Sequence, residues 1–374
     1  MPLNSCNECT ITEVMCHRNS EVQVRFCRLT VTLAIFSTLV ACRSSEPSGP
    51  PDSSTTARLL GDSTVAFGIA VGVNESGNVA GYFTKKGSGA SRERAFFWSS
   101  SGGFRDLGTL GLTSENVRAT GLNDSNEVVG YAGTRAFLWS SSQAMRDIGL
   151  PAGAISGGAT AISNSGRVVG FWRATTLFSG RRAFAWSDIK GMQPLSVPAG
   201  FQDVVAYAIN SRGQTVGDGC VSPCSVLTLP TRALIWEADG SSRALPTPPD
   251  VQFSTAKGID DRGRVVGTVR FADGSTRAVL WSESGTLREL GMLAGTGASQ
   301  AYAIGAGGHV VGESGLRPFI WTDATGMRDL DPPSVAVLPR VIGMAYGITR
   351  FGMAVGALAR TPDSHLPAVF ASPR

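Results

Sequence analysis

Four acidic residues recur in one local setting: Asp106 in FRDLG, Asp147 in MRDIG, Glu289 in LRELG and Asp329 in MRDLD. Two carboxylates facing each other across a sugar linkage are what glycosidic hydrolysis requires. The surrounding pattern argues for a different role. Each acid follows an Arg, and a short turn upstream lies a second Arg in the motif Arg-x-apolar-x-Trp. Cross-strand ion pairing accounts for that recurrence without catalysis. The three histidines, His17, His309 and His365, form no His-x-x-x-His pair. The chain has no Asp-x-Asp calcium loop, no glycine turn ending in Gly-Lys-Ser or Gly-Lys-Thr, and nothing like Gly-x-Ser-x-Gly. We therefore assign no catalytic residue, no metal ligand and no cofactor. Tyr207 and Tyr302 stand in the triplet YAI and Tyr346 in YGI; these three are candidate binding residues.

The cysteines divide by position. The N-terminal CNEC (6–9), with Cys16 and His17, has zinc-like spacing, but it precedes a leader and lacks a folded frame. Arg25 and Arg28 lead into the uncharged run LTVTLAIFSTLVA (29–41), too short to span a bilayer and right for the core of a secretory signal. It ends in LVAC (39–42), which resembles a bacterial lipobox; that resemblance implies cleavage before Cys42 and lipid on it. Cleavage after Ala41 as an ordinary signal peptide, or retention as a signal anchor, are the rivals. Translation from Met15 would leave 1–14 outside the leader. Residues 42–57 are rich in Ser, Pro and Thr and read as a flexible tether. In an exported body, Cys220 and Cys224 of CVSPC are expected to form a disulfide, and their three intervening residues argue against a redox-active pair.

The elements that position these residues come from one repeat. The pattern small-x-small-apolar-Asn-x-x-Gly-x-Val-Val-Gly ends seven times, at Gly81, Gly130, Gly170, Gly217, Gly267, Gly312 and Gly356. Six copies continue into Arg-x-apolar-x-Trp, from RAFFW (94–98) to RPFIW (317–321), and the seventh degrades to LPAVF (366–370). Each unit holds four short apolar runs split by turn chemistry, at a period of 40 to 50 residues. That is a β-propeller blade. Ala stands four positions before the turn residue in every copy, and Ala or Gly two before, so the first strands approach one another closely at an axis. TARLLGD (56–62) resembles a fourth strand, while the last copy stops after its third. The chain is predicted to be all-β: residues 58–374 form a seven-bladed propeller with four-stranded blades, the N-terminal strand completing the last blade and hiding the sheet edge. The repeated tryptophans are expected in the core between blades.

The repeat AIN…G.VVG…RAFLW…LG, over about residues 65–370, resembles the HAF-repeat family of extracellular proteins. Arg replaces the His of the His-Ala-Phe triplet in the six clearest copies. The resemblance implies an exported repeat protein and carries no catalytic residue over.

A net charge of +4, with Lys and Arg spread along the chain, argues against a nucleic-acid partner. Repeated residues build the scaffold, so a site should lie where the repeat breaks. The main breaks, 84–93, 173–181, 218–231 and 271–276, all fall between second and third runs and should emerge on one face. The expectation is a monomer, lipid-anchored to the outer membrane or cell surface, binding an envelope protein or glycan. The alternative is an extracellular propeller hydrolase or lyase acting on polysaccharide.

Overall fold

A computed structural model describes residues 57–370 except 62–63, 88–91, 113–114, 175–179, 222–223, 225–230, 331–341 and 360–364. The leader, Cys42 and all but the last residue of the tether lie outside the described residues. Among those described, every regular element is a strand, and the strands form seven four-stranded antiparallel sheets. Blade 1 runs Val65–Val73, Val79–Lys85, Arg94–Ser99 and Gly103–Asp106 in simple succession. Blades 2 to 6 repeat it, with first strands Val117–Leu122, Ser156–Ile162, Phe201–Ile209, Val251–Ile259 and Ser299–Ile304. Blade 7 takes three strands from the C-terminal end, beginning with Ile342–Ile348, and its fourth from the N-terminal side, Arg58–Leu59. The chain is a seven-bladed β-propeller closed as the repeat phase requires.

The closing strand reproduces its counterparts in register. Arg58 pairs with Val369 as Arg105 pairs with Phe97, and Leu59 with Ala368 as Asp106 with Phe96. The Leu60 amide then donates to the Pro367 carbonyl at 2.7 Å, as that of Leu107 donates to Ala95.

Packing lies between blades. Ala80 and Ala95 of blade 1 meet Val117, Phe137 and Trp139 of blade 2, and Val216 and Ile235 of blade 4 meet Val279 and Trp281 of blade 5. The tryptophans are interblade core, as expected. Trp236 and Trp281 also donate their indole N–H to the carbonyls of Ser196 and Pro246 in the preceding blade, each at 2.7 Å. The Arg of the Arg-acid-Leu element covers the Trp of the next blade: Arg105 over Trp139, Arg146 over Trp186 and Arg288 over Trp321, all within 5.3 Å of the ring centroid. Arg58 takes that place over Trp98 at 5.5 Å.

The turn residue of the repeat links neighbours. Asn74 Oδ1 accepts from the amides of Ser76 and Asn78, closing its own turn, while its Nδ2 donates to the Asn123 carbonyl of the next blade at 3.1 Å. Asn123 repeats this toward Ser163, and Asn210 toward Asp260. The small residues of the first strands sit where their neighbours come closest: a Cβ on Gly121 would lie 3.0 Å from the Ala161 Cα, and one on Gly347 3.1 Å from the Gly72 Cα.

Candidate functional site

All seven first strands carry a β-bulge at the same place, and those of blades 1, 4 and 5 have a second irregularity near their start. The pairing with the second strand skips a single residue between the two small positions: Ala70 to Gly72, Ala119 to Gly121, Ala159 to Ala161, Ala206 to Ala208, Ala256 to Gly258, Ala301 to Ala303 and Ala345 to Gly347. A bulge frees one residue from the ladder and re-aims its side chain. The seven freed residues are Val71, Thr120, Thr160, Tyr207, Lys257, Tyr302 and Tyr346. All are partly exposed, although they stand on the innermost strands. Six of them, all but Val71, reach a neighbouring blade or meet a residue from one. Thr120 and Thr160 donate to the carbonyls of Ala159 and Ala206 at 2.9 and 2.8 Å. Lys257 Nζ lies 3.4 Å from the Tyr207 ring centroid, and the rings of Tyr302 and Tyr346 stack at 5.1 Å.

The bulge also explains the glycine that ends the repeat. It pushes the carbonyl two residues upstream to where a Cβ would stand: at Gly81, Gly130, Gly170, Gly217, Gly267, Gly312 and Gly356, an added Cβ would lie 1.8 to 2.1 Å from that oxygen. A repeated scaffold device thus aims a residue that does not repeat.

A second set of varied residues sits one step toward the end where the second-to-third-strand loops emerge. It comprises the residue after that glycine and its cross-strand partner: Tyr82 with Ile69, Tyr131 with Arg118, Asp218 with Val205, Glu313 with Gln300. Arg118 holds the Glu93 carboxylate through Nε and Nη2 and lies over the Tyr82 ring at 4.6 Å. Burial pushes the phenols of Tyr82 and Tyr131 above their ordinary value, against the pull of Arg118. Across the central channel that the seven first strands surround, the buried Asp218 accepts from Thr255 at 2.8 Å, and Arg181 binds Asp203 at 2.6 Å. Burial raises the Asp218 carboxyl and Lys257 opposes the rise; burial lowers the Lys257 ammonium and Asp218 opposes that. Tyr207 is raised by burial and by Asp218, and Tyr346 is pushed up to about 12, chiefly by burial.

All 5 tyrosines of the chain therefore belong to these two sets. The structure brings Tyr302 and Tyr346 together and sets Tyr207 with Lys257 and Asp218. Glu93 and Asp218 lie inside two of the breaks without having been singled out, and sequence reading missed Tyr82, Tyr131, Arg118, Lys257 and Glu313. The signal available for most of them was the change of residue type at a fixed offset from the turn. Of the four breaks, Thr84–Lys85, Arg173, Arg181, Asp218–Val221, Thr231, Phe271 and Thr276 are strand rather than loop. Parts of the first three lie outside the described residues. The Cys220–Cys224 disulfide is present, with a Cα separation of 5.8 Å, and begins two residues after Asp218.

The other end of the channel is different. A cavity of about 200 Å³ there is walled by an aliphatic ring that includes Ile162, Ile209, Ile259 and Ile304, and by the belted turns. His309 lies in one of these turns, away from the tyrosines, and His365 opens the third strand of blade 7. The four repeated acids sit on the outermost strands and pair across them: Arg94–Asp106 at 3.0 Å, Arg135–Asp147 at 3.7 Å, Arg277–Glu289 at 3.9 Å, and Arg317–Asp329. Exposed pairs of this kind contribute about 0–1 kcal/mol each.

No protein-family model matches this sequence, and no curated protein matches it. Among solved structures, it is similar to a streptogramin B lyase (TM-score 0.55, 12% identity, covering 84% of this chain and 98% of that one). Virginiamycin B lyase from Staphylococcus aureus is similar at a TM-score of 0.52 and 12% identity, over 85% of this chain and 99% of that one. A puromycin hydrolase gives a TM-score of 0.56 at 15% identity, over 83% of this chain and 54% of that one. At such identities the likeness is one of fold.

Proposed function

We propose that this chain is a ligand-binding propeller of the bacterial envelope, anchored by lipid on Cys42, whose ligand enters the channel at the loop end. One observation carries the binding assignment: the polar residues that do not repeat converge there, while those that do repeat are core, turn or outer-strand pairs. Partly exposed tyrosine faces, with charged groups set among them, suit the end of an envelope glycan: rings stack and hydroxyls find fixed partners. The loops that break the repeat leave at the same end, and rigid-scaffold loops are where binding residues usually sit. The lipid anchor is supported by Arg25 and Arg28, the apolar run 29–41 and LVAC, and the HAF-like repeat agrees with export.

Binding is tested with polysaccharide fractions of the envelope. Tyr207→Ala and Arg118→Met are expected to weaken retention about tenfold or more, whereas Asp147→Asn on the outer rim leaves it unchanged. If both channel variants fold and bind as the parent does, the site is elsewhere. The anchor is tested separately: Cys42→Ser should shift the protein out of the membrane fraction or block its processing. Failure of labelled fatty acid to enter the parent protein removes that part of the reading.

A second reading, a lyase or hydrolase acting on the same glycan, draws on the grouping of Lys257, Asp218 and Tyr207. A desolvated amine with a lowered pKa beside a phenol can exchange protons with a substrate. Lys257→Met would then abolish product formation while the glycan stays bound; an absence of new chain ends in digests with the parent protein rejects this reading.

A further inference from the structure

Three carboxylates at the loop end of the channel have a cation beside them: Glu93 has Arg118, Asp203 has Arg181, and Asp218 has Lys257. Glu313 has none among the described residues. It is only 9% exposed. Its Oε1 accepts from Gln300 Nε2 at 2.9 Å, and its Oε2 accepts at hydrogen-bond geometry from no group. Burial raises its pKa, and the Tyr302 and Gln300 side chains are what favour its charge. A buried charge without a counter-charge is costly, and folds keep such costs chiefly where a ligand relieves them.

The surroundings show what kind of ligand would do so. The partly exposed rings of Tyr302 and Tyr346 stand beside this carboxylate, tilted 29° to each other. The Tyr346 hydroxyl donates to Met344 Sδ at 2.9 Å, which leaves its oxygen as an acceptor. Among the described residues the wall thus offers ring faces, a phenol oxygen and a buried carboxylate oxygen without a hydrogen-bond partner, and no cation. An anion would be repelled, and a neutral hydroxyl would leave the charge unbalanced. Aromatic faces joined to a desolvated carboxylate bind ammonium groups.

We infer that Glu313, Tyr302 and Tyr346 form a subsite for a positively charged amine or quaternary ammonium group of the ligand. This rests on the channel-binding reading above and names the chemistry of one part of that site.

The test compares choline with 3,3-dimethylbutan-1-ol, which has the same shape and no charge. Both are titrated into the intact protein carrying 13C-labelled tyrosine, whose 5 ring signals are assigned by Tyr→Phe variants. Choline should shift the Tyr302 and Tyr346 signals and bind about tenfold more tightly than the alcohol. Glu313→Gln should remove that preference and, by neutralising an unpaired buried charge, leave the melting temperature equal or higher. Equal binding of the two probes, a preference that survives Glu313→Gln, or no shift at either ring overturns the ammonium assignment. In the first two cases, shifts confined to these rings would leave the channel-binding reading intact. Silence at all 5 rings from both probes, together with unchanged glycan retention in Tyr207→Ala and Arg118→Met, would overturn both.

Discussion

Gly217→Ala is expected to cost about 4 kcal/mol or more, enough to prevent soluble folding of a protein of ordinary stability. The added Cβ would stand 1.8 Å from the Val205 carbonyl oxygen and 3.0 Å from the Ala206 Cα. Both are backbone atoms in the innermost strand, so no rotamer change can relieve the clash. Relief requires undoing the bulge, and that shifts the pairing of every residue upstream of Tyr207 by one, moving Val204 and Val205 to the wrong faces. Gly200→Ala is the control. Its φ is +85° and nothing stands within 4 Å of an added Cβ, so its expected cost is the left-handed backbone penalty of about 1–2 kcal/mol. Denaturant midpoints measure both. A loss at Gly217 no larger than at Gly200 would mean that the bulge is not built in. The same reasoning covers Gly81, Gly130, Gly170, Gly267, Gly312 and Gly356, where the facing atom is again a carbonyl oxygen.

That glycine also shows how much the sequence discloses. Asn-x-x-Gly turns, alternating apolar runs and a fixed period are local signals, and repetition turns them into a ring, so blade number, strand order and closure were legible. The Arg-acid pairs and interblade tryptophans were legible too, because their partners recur at fixed offsets. Gly217 itself stood in plain view in the pattern, but its reason did not: the carbonyl it admits belongs to a bulge, and a bulge leaves no mark in residue type. The site suffered for the same cause. Tyr207, Tyr302 and Tyr346 stood out because YAI and YGI catch the eye. Lys257, at the same offset, was passed over because the residue type changed. Glu93 and Arg118 lie in different blades and meet only through ring geometry. Asp218 opens a break in the repeat, where a loop is expected, whereas it is the fourth residue of a strand and buried. A site made where seven blades converge is read from offsets around the ring, not from neighbours along the chain.

Removing residues 43–63 is expected to lower the melting temperature sharply, while removing 43–55 leaves it unchanged. The longer deletion takes Arg58, Leu59 and Leu60. Leu60 is 3% exposed and packs with Val65, Ala70, Phe96 and Val355, in the seam between blades 7 and 1. Leu59 packs against the core shared by blades 6 and 7, with Leu330 and Phe370. Fully burying a leucine contributes about 1.5–3 kcal/mol; Leu60 meets that condition and the partly buried Leu59 adds a smaller share, so the two together account for roughly 2–4 kcal/mol. Arg58 leaves the Trp98 face open as it goes. The part of the loss that Leu60 carries falls at the seam joining the two ends of the ring, where no covalent connection then substitutes for it. The third strand of blade 7, His365–Phe370, then becomes an unpaired edge, so aggregation on heating should accompany the lower transition. Replacing only Leu59 and Leu60 with Ser separates the packing contribution from the edge: it should lower the transition nearly as far while keeping the backbone pairs of Arg58 and Leu59, and so aggregate less. Equal melting temperatures for the two deletions would show that the ring holds without its N-terminal strand.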